Sequence, residues 1–175
     1  MNDNYEKPFK RYWVDQHPLP ARLPPEGVQL RGIDYRMFKL FHLSILFRAG
    51  VATLPMFEDV ELGPHEPVLR QMVLGRDPGE VESYPVFAIA VVDHNRAPVS
   101  RLMTKPYRTR FEGHIVYAFT FGGCMWFYTV SSHRSPHMVK IALQPSGQLW
   151  LCPENWANIA TVQQLSRALK AYYAL

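Results

Sequence analysis

Before residue 80, apolar residues recur at intervals of three and four, which is the spacing typical of helices. The stretch 34–50 is the clearest case, because Asp34 is a good N-cap and large apolar residues follow it on more than one face. This pattern predicts a helix that is buried on most sides. A second helix is predicted over 64–75, where both prolines fall in the first turn and a glycine ends the run.

From residue 85 the pattern changes to short runs of β-branched and aromatic residues that are separated by turn signals. The predicted strands lie in the segments PVFAIAVVDH, SRLMTK, HIVYAFTF, CMWFYTVS, HMVKIAL and QLWLCP. Their short links predict an antiparallel meander. The expected fold class is α+β, with an antiparallel sheet of about five or six strands (residues ~85–152) that packs against helices ~34–50, ~64–75 and ~155–173.

The amino-terminal residues 1–30 differ from the rest of the chain in their high proline content, which limits regular structure. Their aromatic residues, from Tyr5 to Trp13, fall on one face of a short predicted helix. We expect a proline-rich aromatic arm over 1–30 and a single α+β domain over 31–175, since 175 residues fit one domain.

The composition excludes several classes of protein. Apolar residues make up 47% of the chain and charged residues 19%, which is typical of a folded globular protein. Two cysteines and the lack of a long apolar run argue against a disulfide-stapled secreted domain and a membrane span, so we expect a cytoplasmic location and no membrane partner. The net charge of +4 favours anionic partners only weakly.

A basic and aromatic stretch is the strongest candidate for binding. It consists of Arg101, Lys105, Tyr107, Arg108 and Arg110, to which the segment SSHRSPH (residues 131–137) adds His133 and Arg134. Cations interleaved with aromatic rings at strand ends can follow a nucleic-acid backbone or contact an acidic protein face. The competing interpretation is an edge strand whose charges only protect it from aggregation.

The same segment, SSHRSPH, could also carry chemistry. Its histidines, His133 and His137, have the spacing of half a zinc site, but Cys124 and Cys152 stand alone inside predicted strands. A serine nucleophile would need one of these histidines as its base, and no G-x-S-x-G elbow occurs. We therefore expect a hairpin connection that displays His133 and Arg134 at its tip, with no cofactor.

Residues 4–79 carry a family resemblance. The stretches NYEKPFKRYW, GIDYRMFKLFHLSILFRAG and VELGPHEPVLRQMVLGRDPG resemble the region that follows the nuclease-like module in poorly characterised bacterial proteins described as HNH-endonuclease-like. In that group a preceding segment carries paired cysteines and a histidine motif, and this chain has no C-x-x-C pair. The resemblance implies a free-standing accessory domain that lacks the metal-binding nuclease segment, and it transfers no catalytic residue.

These observations together favour a non-catalytic bacterial or phage protein that binds a macromolecular partner, as a component or an inhibitor of nucleic-acid defence machinery. A protein is the first expected partner. Two alternatives stay open: direct binding of DNA or RNA through the basic and aromatic stretch, and a metal-dependent hydrolase that uses His133 and His137.

Overall fold

The computed structural model describes residues 5–159, and this part of the chain has an α+β fold. Its helices are α1 (Lys7–Phe9), which continues as a π-helical segment (Lys10–Asp15), α2 (Tyr35–Val51), α3 (Glu66–Gly75) and α4 (Pro136–Ile141). Its strands are β1 (Val28–Leu30), β2 (Val86–Val92), β3 (Tyr107–Phe111), β4 (His114–Phe121), β5 (Cys124–Val130), β6 (Leu149–Leu151) and β7 (Pro153–Asn155). Short 3₁₀ turns lie at Pro55–Phe57, Gly63–His65 and Trp156–Asn158. None of the helices in this range combines the length and the apolar content that a bilayer crossing requires.

The two predicted amino-proximal helices are confirmed. The side chain of Asp34 accepts a hydrogen bond from the backbone N–H of Met37 at 3.0 Å, so it caps α2 as expected. Most of α2 is buried, including the polar side chains Lys39 and His42. Helix α3 ends at Gly75, although the left-handed conformation that closes it belongs to Arg76.

Five strands form the main sheet in the order β3-β4-β5-β2-β7. Neighbours pair antiparallel from β3 through β2, whereas β7 lies parallel to β2, with Ala90 opposite Pro153. Strands β1 and β6 form a separate antiparallel pair. The predicted α+β class and number of strands are therefore confirmed, but the prediction of a wholly antiparallel sheet is wrong at β7.

Two predicted strands are also wrong. The segment SRLMTK (100–105) is irregular, and the strand begins only after Pro106, at Tyr107. The segment HMVKIAL (137–143) contributes to α4, because Ser135 caps the backbone N–H of Met138 and Pro136 occupies the first helical turn. SSHRSPH is thus a strand-to-helix connection and not a hairpin.

The predicted carboxy-terminal helix (~155–173) lies mostly outside the described residues. Where the structure does describe this segment, Pro153–Asn155 is a strand and Trp156–Asn158 a 3₁₀ turn.

The sheet is buried on both faces. Ala88 and Ala90 of β2 belong to a core shared with α2 and α3, and Phe87 and Ile89 belong to a second core against α4. This division follows from the period of two in a strand. The helices therefore cover both faces, with the larger layer on the side of α2.

The amino-terminal segment packs into the larger core. Tyr5, Phe9 and Trp13 are buried, and the Phe9 ring stacks on Phe41 of α2 with centroids 3.8 Å apart. Tyr5 Oη donates a hydrogen bond to the carbonyl oxygen of Val73 at 2.6 Å, which ties this segment to α3.

A titratable side chain lies at the centre of this core. His42 is fully buried among aromatic rings, and its Nδ1 lies 2.9 Å from Tyr128 Oη, while its Nε2 has no hydrogen-bond partner within residues 5–159. Burial lowers the pKa of His42 to about 3, so the imidazole is neutral in the folded protein.

Candidate partner-binding surface

Two of the cations in the predicted basic stretch are engaged in ion pairs on the protein surface. Lys105 Nζ lies 2.7 Å from Glu58 Oε1 and 3.0 Å from Asp59 Oδ2. Arg108 Nη1 lies 3.3 Å from Glu61 Oε2. The acidic partners come from the connection between α2 and α3, and no local pattern predicts that this connection lies here. The hydrogen bonds to Glu58 and Asp59 raise the pKa of Lys105 above its ordinary value.

The position of Tyr107 also differs from the predicted role of an aromatic ring in the binding surface. Its ring is partly buried and packs against the second core, and its hydroxyl donates to Met125 Sδ at 3.3 Å. Burial raises the pKa of Tyr107 to about 12. The ring therefore contributes to the second core.

The remaining cations of the predicted set are exposed and dispersed. Arg101 lies within the irregular segment 100–105, and Arg110 lies on β3, on the same strand face as Arg108. Arg134 belongs to the connection before α4. None of these three forms an ion pair with another described residue. Strand β3 is an edge of the sheet, as the competing interpretation of charged edge protection supposed.

SSHRSPH lines a separate polar pocket of about 390 Å³. His133 and Arg134 form part of one wall, and Glu80 and Glu82 lie among the other lining residues. No residue of 101–111 lines this pocket.

The histidines of SSHRSPH contact neither the cysteines of the predicted zinc site nor a serine hydroxyl as a catalytic base would. His137 Nδ1 lies 2.8 Å from Glu112 Oε1. Ser131 Oγ lies 2.9 Å from Nδ1 of His114 and accepts the backbone N–H of His133. Within residues 5–159, no group of three or more His, Cys, Asp or Glu side chains is placed to hold a metal ion. The geometry here gives no support to the metal-hydrolase alternative.

A groove with a mainly apolar lining lies on the surface of the described part of the chain, and the sequence did not reveal it. It has a volume of about 480 Å³ and lies between α2, the turn at Pro55–Phe57, the segment 103–106 and the end of β4. Its lining residues are mainly apolar and include Phe41, Ile45, Met56, Phe57, Met103, Phe119 and Phe121.

Exposed apolar side chains surround this groove. Met103 is 75% exposed and Met56 is 44% exposed, and Leu54, which directly precedes the turn at Pro55–Phe57, is 57% exposed. Exposed apolar residues that cluster, and methionine in particular, are typical of protein interaction surfaces. We call the groove together with Leu54, Met56 and Met103 the groove surface. The amino-acid sequence of any one of these segments could not reveal the groove surface, because its residues come from four separate segments of the chain.

Comparisons of the chain with protein-family models, curated proteins and solved structures return no match. The resemblance described above therefore stays a prediction, and a functional proposal depends on the geometry of the groove surface.

Proposed function

We propose that the chain is a non-catalytic binding protein that engages a protein partner through the groove surface. The observation that carries this proposal is the concave apolar groove between α2 and the end of β4, with the 75% exposed Met103 beside it. Displacing water from such a surface is favourable by roughly 25 cal/mol per Å² of apolar area. A partner that covers the groove would gain this free energy.

The charges near the groove favour a protein over a nucleic acid. Arg48, which lines the groove, is paired with Glu6 at 2.7 Å, and Lys105 is paired with Glu58 and Asp59. A phosphate backbone would have to break these pairs in order to use the cations. An apolar protein surface can instead cover the groove without disturbing them.

The proposed partner belongs to nucleic-acid defence machinery, and the chain is its component or inhibitor. Support for this narrower statement comes from the resemblance of residues 4–79 to the accessory region of HNH-endonuclease-like proteins. Nucleases and their regulators encoded beside this chain are therefore the first partners to test.

Replacing Met103 with glutamate tests the proposal. We expect Met103→Glu to weaken the affinity for the purified partner by at least about tenfold, because it places a charge against a desolvated apolar contact. The matched control is Leu74→Glu, since Leu74 is 70% exposed on α3 and does not line the groove. Calorimetric titration measures both affinities.

Two results would contradict the proposal. Either Met103→Glu leaves the affinity unchanged, or Leu74→Glu lowers it equally. Binding to DNA or RNA that weakens steeply with added salt and with Arg110→Ala, but not with Met103→Glu, would instead favour the nucleic-acid alternative.

A further inference from the structure

Strand β3 forms one edge of the main sheet, and no described residue pairs with its outer side. Its only neighbour in the sheet is β4. Outside the β3–β4 ladder, no hydrogen bond between backbone groups of residues 5–159 involves Arg108 or Arg110. The side chains of both arginines are exposed, so this edge is open to solvent in the described part of the chain.

The β3–β4 hairpin determines which backbone groups point outwards. Residues 112–113 form a two-residue turn with positive φ at both positions, as a type I′ turn requires. The flanking residues Phe111 and His114 are therefore a hydrogen-bonded pair, and the pattern alternates from there. Arg108 and Arg110 consequently direct their N–H and C=O groups away from β4, towards the open side.

The opposite edge of the sheet is protected in ways that β3 is not. Strand β7 has three residues and begins with Pro153, which has no N–H to donate. Strand β3 has five residues and no proline, and it pairs with β4 without a bulge. Its protection consists of charge, because Arg108 and Arg110 lie on one strand face.

These two arginines disfavour the pairing of β3 with a second copy of the chain. If two copies paired antiparallel about Thr109, Arg108 of each copy would lie opposite Arg110 of the other, on the same face. Like charges that lie directly opposite each other destabilise a sheet, whereas opposite charges stabilise it. A strand with carboxylates at these positions would therefore be attracted to the edge that repels a second copy.

Both arginines are able to bind a further carboxylate. Arg110 forms no ion pair within residues 5–159. Arg108 contacts Glu61 through Nη1 in an exposed pair, and a guanidinium has five N–H donors, so a second carboxylate can bind without displacing Glu61. The carboxy-terminal residues 160–175 include no aspartate or glutamate, so they lack the charge that this edge favours.

We propose that the outer edge of β3 binds an extended acidic segment of a partner protein, which adds to the sheet as a further strand with Asp or Glu opposite Arg108 and Arg110. Such a strand pairs with both the outward N–H and the outward C=O groups, whereas the phosphates of a nucleic acid can only accept hydrogen bonds. No residue of β3 lines the groove, so this inference does not depend on the proposed function.

Selection of peptides against the full-length chain tests this mode of binding. From a library of random peptides about eight residues long, we expect enrichment of sequences with Asp or Glu at every second position. Arg110→Glu should weaken the binding of a selected peptide by at least about tenfold, because it replaces attraction with repulsion across the strands. The matched control is Arg101→Glu, which makes the same change of charge outside β3 and should leave the affinity nearly unchanged.

Backbone pairing is tested separately from charge. When a selected peptide binds, amide hydrogen exchange of Arg108 and Arg110 should slow by at least about tenfold, whereas the Thr109 amide, which already faces β4, should change little. Arg110→Pro removes the outward N–H as well as the cation, so it should weaken binding more than Arg110→Ala. The exchange measurement uses the wild-type chain and remains decisive if the proline variant does not fold.

Several results would overturn the inference. These are a selection that enriches no peptide, enrichment without alternating acidic residues, an equal effect of Arg101→Glu and Arg110→Glu, and exchange at Arg108 and Arg110 that the peptide does not slow. Slowed exchange of these amides by self-association without peptide would assign the edge to a second copy. Binding of single-stranded DNA that Arg110→Glu weakens, without any selected peptide slowing the two amides, would assign the arginines to nucleic acid.

Discussion

Two buried polar side chains have an atom without a hydrogen-bond partner among the described residues, which costs free energy and cannot be read from the sequence. Among the described residues, His42 keeps one ring nitrogen unpaired inside an aromatic cluster, and Thr120 keeps a buried hydroxyl unpaired near the end of β4. The two positions differ in their surroundings. His42 lies within the core and has Tyr128 as a partner, whereas Thr120 is among the residues that line the groove.

The neutral, buried His42 makes stability depend on pH. Its pKa is about 3 in the fold and about 6.5 in the unfolded chain. Between these values the unfolded state binds more protons, so stability falls as the pH falls from 6.5 towards 3. From about pH 7 to about pH 5, His42 should contribute a loss of about 2 kcal/mol.

Urea unfolding of two variants at these pH values isolates the contribution of His42. The double variant His42→Leu/Tyr128→Phe should lose less stability on acidification than the wild type, because it lacks the titrating ring. Tyr128→Phe alone keeps the imidazole and should retain the full pH dependence. Equal dependence in the double variant and the wild type would show that His42 does not titrate in this way.

At the scale of elements, the short β1–β6 pair depends on a tight approach between backbones. The backbone N–H of Ile33 donates to the carbonyl oxygen of Gly147 at 3.1 Å, just after β1 and just before β6. Gly147 has φ +75°, and a Cβ there would collide with the carbonyl oxygen of Ile33. Glycine is required at this position by both its conformation and its surroundings.

Replacing Gly147 should therefore lower the stability of the protein by more than its positive φ alone predicts. Gly147→Ala should lower the free energy of unfolding by more than about 3 kcal/mol, from strain and collision together. The matched control is Gly113→Ala in the β3–β4 turn, where φ is +84° but open space surrounds the site. It should cost about 1 kcal/mol from strain. If denaturant unfolding gave the same loss of unfolding free energy for Gly147→Ala and Gly113→Ala, the predicted collision at position 147 would be refuted.

Local sequence signals predicted some elements well and others poorly. Helix α2 and strands β4 and β5 were predictable because N-cap, hydrophobic pattern and turn residues agree in these segments. Helix α4 was not predicted because its apolar spacing resembles that of a strand, although a serine followed by a proline is typical of a helix start. The parallel pairing of β7 depends on distant β2, which no local pattern specifies.

For the candidate site, the sequence showed which types of residue are present, but it did not show how they are arranged in space. The basic stretch was visible in the sequence, whereas the ion pairs that occupy Lys105 and Arg108 require the α2–α3 connection to fold against β3. The groove surface could not be predicted, because its exposure arises only when four segments meet.

The whole molecule is organised around a sheet whose two faces are both buried. The proline-rich amino-terminal segment adds to the larger core, and Trp13 Nε1 donates to the carbonyl oxygen of Gly122 at 2.8 Å. Consequently neither sheet face is available to a partner in the described part of the chain. The end of β4 lines the groove together with α2 and the segment 103–106.

Site-specific photocrosslinking tests most directly whether the groove surface is the partner-binding site. A photoreactive phenylalanine analogue would replace Met103 in one variant and Arg134, in the polar pocket, in a second. Each full-length variant would be irradiated with the purified partner. The account predicts a crosslinked complex from position 103 and little from position 134. Crosslinking from position 134 and none from position 103 would contradict it.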